Sequence, residues 1–178
     1  MRKLVIACLI ISLSSCKFAE KEIYIMPVNY TGNIYIFSNV KNGESKQYDD
    51  KHSRVYAVPK SGILLSQFKE IYGVINKKFV YKAKNGKQIE FEGIPFQNDK
   101  GSLDNNKVYA FYGNDATITF PKAKDTIGIQ IVTICKPKDF DITNREPFLK
   151  IISGSNFLLQ DVNYQKLIEM RSKYDKTN

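Results

Sequence analysis

The chain is short of several residue types: it has no tryptophan, one histidine (His52) and three cysteines among 178 residues. One imidazole cannot build a multi-histidine metal centre, and no Cys/His cluster with metal-ligand spacing accompanies it. No apolar run approaches the roughly 18 residues that a membrane-spanning helix needs, which excludes a polytopic helical membrane protein. Glycine-rich phosphate loops and dinucleotide fingerprints are also missing. No cofactor or metal is therefore expected, and no catalytic residue is nominated.

What remains is ample for a folded body. Hydrophobic residues make up 43% of the chain and charged residues 25%, which excludes wholesale disorder. The length fits a single domain. The mean hydropathy is −0.33.

The N-terminus carries a targeting signal. Arg2 and Lys3 precede an unbroken apolar stretch over 4–11, the length of a signal-peptide core. Leu13-Ser14-Ser15-Cys16 follows, and it resembles the bacterial lipobox. The resemblance implies diacylglyceryl transfer to the Cys16 sulfur, cleavage before Cys16 and acylation, by palmitate or a similar chain, of the new amine. Two or three acyl chains anchor stably where one would not. The partner so implied is a membrane of the bacterial cell envelope. Lys17 stands where an inner-membrane retention aspartate would, which favours the outer membrane over the inner. The expected organisation is a signal peptide over 1–15, a lipidated tether over 16–21, a β-rich domain over 22–135, and a partly helical extension over 136–178 packed on the same domain.

Loss of residues 1–15 removes Arg2 and Lys3 and takes the formal charge from +9 to +7. The mature arginines are Arg54, Arg145 and Arg171 alone, and the lysines are scattered. Nucleic-acid recognition favours the planar fork of arginine, so no nucleic-acid partner is expected. Anionic headgroups, polyanionic glycans or an envelope protein remain open as partners. Cys135 has no second body cysteine to pair with and lies in an apolar run, where it reads as a small core residue.

Short alternating segments rich in Ile, Val, Tyr and Phe predict strands over 22–26, 33–38, 54–58, 63–66, 78–83, 88–91, 107–112, 116–120 and 126–134. Their spacing predicts a mainly β fold, an antiparallel β-sandwich-like single domain with helical C-terminal elements. Those elements are a short helix after the capping-box pattern Thr143-Asn144-Arg145-Glu146 and a longer one over 161–173. One hairpin can be read in register. A three-residue loop, Lys84-Asn85-Gly86, sets Tyr81 against Ile89, Phe79 against Phe91 and Lys78 against Glu92, with a bulge at Gly86. No internal repeat is legible.

Two segments carry a family resemblance. One is Tyr24-Ile25-Met26-Pro27-Val28-Asn29-Tyr30-Thr31-Gly32; the other is Arg54-Val55-Tyr56-Ala57-Val58-Pro59-Lys60-Ser61-Gly62-Ile63-Leu64. Together they resemble a family of bacterial envelope lipoproteins built on a domain of unknown function, over about residues 22–95. The resemblance implies a β-rich fold and supplies no functional residue. Read physically, Pro27 and Pro59 each close a strand. Tyr24, Tyr30, Tyr35 and Tyr56 form either a tyrosine-lined core edge or an aromatic platform for a glycan or peptide. The string Asp49-Asp50-Lys51-His52-Ser53 suggests a triad only superficially, since neighbours on a strand point to opposite faces.

The expected function is a membrane-anchored, non-enzymatic binding or accessory module. An immunity or inhibitor lipoprotein directed at a toxin or lytic enzyme is the alternative, and an envelope hydrolase a weaker one.

Overall fold

The computed structural model describes residues 21–71, 75–98, 100–113, 116–120 and 125–141. Eleven strands among them form two sheets that face each other across one core. The first sheet has the order β3-β4-β1-β6-β7: Gln47–Tyr48, Arg54–Ala57, Lys21–Pro27, Asn76–Lys82 and Gln88–Phe91. The second has the order β5-β2-β11-β9-β8: Ile63–Leu65, Gly32–Phe37, Asp125–Cys135, Tyr109–Tyr112 and Gly93–Pro95. Strand β10, Ala116–Phe120, pairs with the first half of β11.

Strand alternation decides what faces inward. Along β1, Glu22, Tyr24 and Met26 are buried while Ile23, Ile25 and Pro27 are only half-buried. Across the core they meet Ile34, Ile36, Ala110, Val132 and Ile134 of the second sheet. A satellite cluster of Ile94, Tyr109 and Phe111 is closed by Leu103, Cys135 and Phe140.

All nine expected strands are present, and β3 and β8 are added. The hairpin register is as read: Tyr81 faces Ile89 and Phe79 faces Phe91. Gly86 has φ +82°, and the Ala83 amide donates to the Lys87 carbonyl across the three-residue loop. Lys78 pairs diagonally with Glu90, at 2.7 Å.

The sheet type is corrected. Both sheets are mixed, because β1 runs parallel to β4 and to β6, β2 parallel to β5, and β8 parallel to β9. The cause is an arch that occurs twice. The chain rises along β1, turns at 27–32 and descends along β2 in the opposite sheet; it then rises along β4, turns at 59–62 and descends along β5. The second arch stacks on the first, so like strands lie side by side and parallel. The two segments noted in the sequence are thus one device used twice. Tyr24 is in register with Tyr56 and Ile23 with Val55. Gly32 and Gly62, at φ +112° and +67°, each take the chain out of the arch in a conformation that a side chain would resist. The repeat escapes a reading of the sequence because the turns differ in length and few positions match, chiefly Tyr24 with Tyr56 and Pro27 with Pro59.

The expectation of helical C-terminal elements is corrected too. The helical structure of the described residues is one 3-10 turn, Pro137–Asp139, directly after β11. The segments read as helices, around 143–154 and over 161–173, lie outside the described residues, as do the signal peptide and Cys16.

Candidate functional site

The four singled-out tyrosines do not share a surface. Tyr24, Tyr35 and Tyr56 are buried at 0%, 2% and 2% exposure. Tyr30 is half-buried at the arch, where its hydroxyl donates to the Asn33 carbonyl at 2.8 Å. Tyr24 and Tyr56 stack with centroids 5.1 Å apart, and Tyr24 also stacks on Phe79 at 4.9 Å. Inward alternation on two parallel strands puts these rings inside the sandwich. Tyr24 and Tyr56 thus line the core, whereas Tyr35, between the inward Ile34 and Ile36, is buried on the other face of β2, and the four build no common platform.

What the rings surround is a buried polar cluster centred on Glu22, which is fully buried. Tyr24 donates to Glu22 Oε2 at 2.5 Å, and Tyr56 donates to Oε1 at 3.1 Å. From the facing sheet, Gln130 Nε2 reaches Oε1 at 3.4 Å. Lys77 Nζ lies 3.5 Å from Oε2 and also donates to the Tyr24 oxygen at 3.3 Å. Burial, and then the Glu22 charge, hold the Tyr56 hydroxyl well above the ordinary phenol range. Beside it Arg54 stacks on the Phe68 ring, 4.8 Å from its centroid, and donates to the Lys69 carbonyl at 2.5 Å. Every group of the cluster is engaged by protein, so its chemistry is to lock the two sheets in register. Sequence reading passed Glu22 over, although its position two before Tyr24 puts it on the inward face.

His52 sits in the turn between β3 and β4, exposed and at φ +60°. The Asp49 carboxylate accepts from the backbone amides of Lys51 and Ser53, at 3.0 and 2.7 Å. The Ser53 amide is the main cause of the lowering of the Asp49 pKa below the ordinary carboxylate value. Asp49 and Ser53 thus serve the backbone of the turn. Cys135 is half-buried beside the satellite cluster. Among the described residues no group of three or more His, Cys, Asp and Glu converges to hold a metal.

A half-open groove of about 270 Å³ lies between the two sheets where the arches end. Its walls are Ala57, Pro59 and Ile63 to Leu65, with Asn42 and Glu44 at the mouth. It is apolar and just below the size typical of small-molecule sites.

The charged residues divide between the two ends of the sandwich. The starts of β1, β4 and β6 share one end, because the three strands are parallel. Among the described residues there, Lys21, Lys51 and Lys69 are balanced by Asp49, Asp50 and Glu70, and Lys77 and Lys78 are paired with Glu22 and Glu90. The opposite end gathers both arches, the 83–87 hairpin loop, the approach to β9 and the turn after β11. Among the described residues, lysine dominates it.

No curated protein matches the chain. A crystal structure from Bacillus anthracis, described as a lipoprotein, superposes with a TM-score of 0.49 and 13% identity, covering 88% of this chain and 94% of that one. A model of a family of unknown function matches residues 19–127, which include both arches and the hairpin; the chain belongs to that family, DUF6843.

Proposed function

We propose that the protein is a membrane-anchored envelope lipoprotein whose β-sandwich serves as a non-enzymatic binding or accessory module. The observation that carries this reading is the distance in sequence between lipobox and fold. Strand β1 begins at Lys21, five residues after Cys16, so the body starts where the lipidated tether ends. A central strand of the sandwich is thereby tied directly to the anchor. The engagement of the Glu22 cluster in holding the sheets together agrees with a body that presents a surface. Lys17 favours the outer over the inner membrane.

Mass spectrometry of the full chain exported by a bacterial host tests the anchor. The expected product begins at Cys16 and carries a diacylglyceryl thioether, and Cys16→Ser moves the protein out of the membrane fraction. An unmodified thiol, or a chain still beginning at Met1 in the cytosol, overturns the reading.

A further inference from the structure

The arch end of the sandwich is a lysine cap. Lys60 lies in the second arch, and Lys82, Lys84 and Lys87 lie on the hairpin. Lys107 precedes β9, and Lys138 follows β11. All six are exposed. The carboxylates of the described residues at this end are Asp104, Asp139 and Asp141. Lys77 pairs with Glu22 and Lys78 with Glu90, both away from the six. The lysines come from four separate stretches of chain that strand direction brings to one end.

We propose that this cap binds an anionic polymer of the cell wall, a chain of repeated phosphodiester or carboxylate groups. Three observations select that partner. First, the cap has lysines, no arginine among its described residues, and exposed large apolar side chains only at Val28 and, beside the hairpin loop, Ile89 among those residues. Tight protein interfaces centre on Trp, Tyr and Arg and are depleted in Lys, so the composition fits a diffuse, salt-sensitive contact with repeated charge. Second, lysine meets an anion as a point charge without imposing the bidentate geometry of arginine, which suits a flexible polymer.

Third, geometry separates the cap from the anchoring bilayer; this step rests on the anchor at Cys16. Five residue steps from Cys16 to Lys21 span at most about 18 Å. Strand β1 carries the chain about 20 Å from Lys21 to Pro27. The arches and the hairpin loop stand beyond that. The tether is too short to turn the body over and lay the cap flat on the membrane that holds Cys16. Among the described residues at the end near the tether, Lys21, Lys51 and Lys69 are balanced by Asp49, Asp50 and Glu70, and Lys77 and Lys78 are paired with Glu22 and Glu90, so that end has no comparable attraction for anionic headgroups.

The test uses the full chain in detergent, so it does not depend on lipidation. The probes are long-chain polyphosphate, poly-glutamate and neutral dextran, each immobilised, and vesicles of phosphatidylglycerol. Retention on the two polyanions that falls steeply with salt, without retention on dextran, is expected. The triple variant Lys60→Glu, Lys84→Glu, Lys87→Glu should weaken polyanion binding by at least about tenfold and lower the salt slope by about three. The matched variant Lys21→Glu, Lys51→Glu, Lys69→Glu at the other end should change it less than about twofold, since it lies more than a Debye length away. Equal loss in both variants, or no retention of the unmodified chain, overturns the proposal. Binding to the vesicles that only the cap variant abolishes also overturns it, in favour of a second membrane contact. Failure of the anchor shows separately, in the mass of the exported protein.

Discussion

Tyr24 and Tyr56 occupy the same place in two successive arches, stacked 5.1 Å apart, and both direct their hydroxyls at the one carboxylate of Glu22. The arch repeat therefore has a chemical axis: the stacked rings fix the spacing of β1 and β4, and Glu22 fixes their level. Lys77 brings β6 into the same arrangement from the other side, and Gln130 brings in the facing sheet.

Removing one member of that charge pair strands the other. Lys77→Ala leaves Glu22 buried and uncompensated and is expected to cost about 3–5 kcal/mol in urea unfolding. The double variant Glu22→Gln, Lys77→Met, which removes both charges while keeping bulk, should recover more than half of that loss. A double variant no more stable than Lys77→Ala would show that packing by the lysine stem, and not charge, is what counts.

Gly93 marks where the chain crosses from the first sheet to the second, and a Cβ there would run into the Phe79 ring and Tyr112. Phe79 is fully buried, so the ring has little room to yield. Gly93→Ala should cost about 1–3 kcal/mol by overpacking. Gly86→Ala meets no atom and is penalised only for its left-handed backbone, about 1–2 kcal/mol. The two are separated by combining each with Phe79→Leu, which should relieve Gly93→Ala and leave Gly86→Ala unchanged.

Alkali should loosen the fold through its tyrosines. Burial pushes the Tyr81 hydroxyl up to about 12, from an ordinary value of 10.0, and its proton goes to the Tyr30 carbonyl at 2.8 Å. The folded state thus holds the proton more tightly than the unfolded chain. The stabilisation is complete below about pH 10 and is lost as the pH climbs toward 12. Tyr56 acts in the same sense, with a value raised still further. Urea midpoints measured from pH 8 to 12 should fall across that window, and Tyr81→Phe should flatten the fall while lowering the plateau by about 1 kcal/mol.

At the acid end the sign is reversed for Asp49. Its folded value is lowered, so its support for the 49–53 turn is complete above the ordinary carboxylate range and fades as the pH falls through the lowered value. Amide exchange at Ser53 should accelerate with acid in the native chain, relative to base-line exchange chemistry, and Asp49→Asn should remove that dependence.

Strand positions and the hairpin register were legible because alternation and loop length are local properties. Phe79, Tyr81, Ile89 and Phe91 needed only their spacing about Gly86. Parallel pairing was not legible, since nothing near β1 says that its neighbours are β4 and β6. The two-residue β3 is too short to alternate, and β8 has Pro95 at its end, so neither carried a strand signal. The tyrosines were identified as a set, but whether an aromatic faces core or solvent depends on the sheet that covers it. The lysine cap was diluted in the sequence across 60–138, and only strand direction collects it.

The place of β1 at the centre of one sheet, and of β2 inside the other, has a consequence for the order of assembly. Lys21–Pro27 finds its two neighbours at Arg54–Ala57 and Asn76–Lys82, and Gly32–Phe37 waits for Asp125–Cys135. A chain that emerges N-terminus first therefore holds β1 and β2, each flanked on both sides in the fold, unsatisfied until most of its length has appeared. Closing such distant pairs is slow. Throughout that delay, an apolar, strand-prone leading segment is open to wrong partners, so the youngest molecules are the ones most in need of a chaperone.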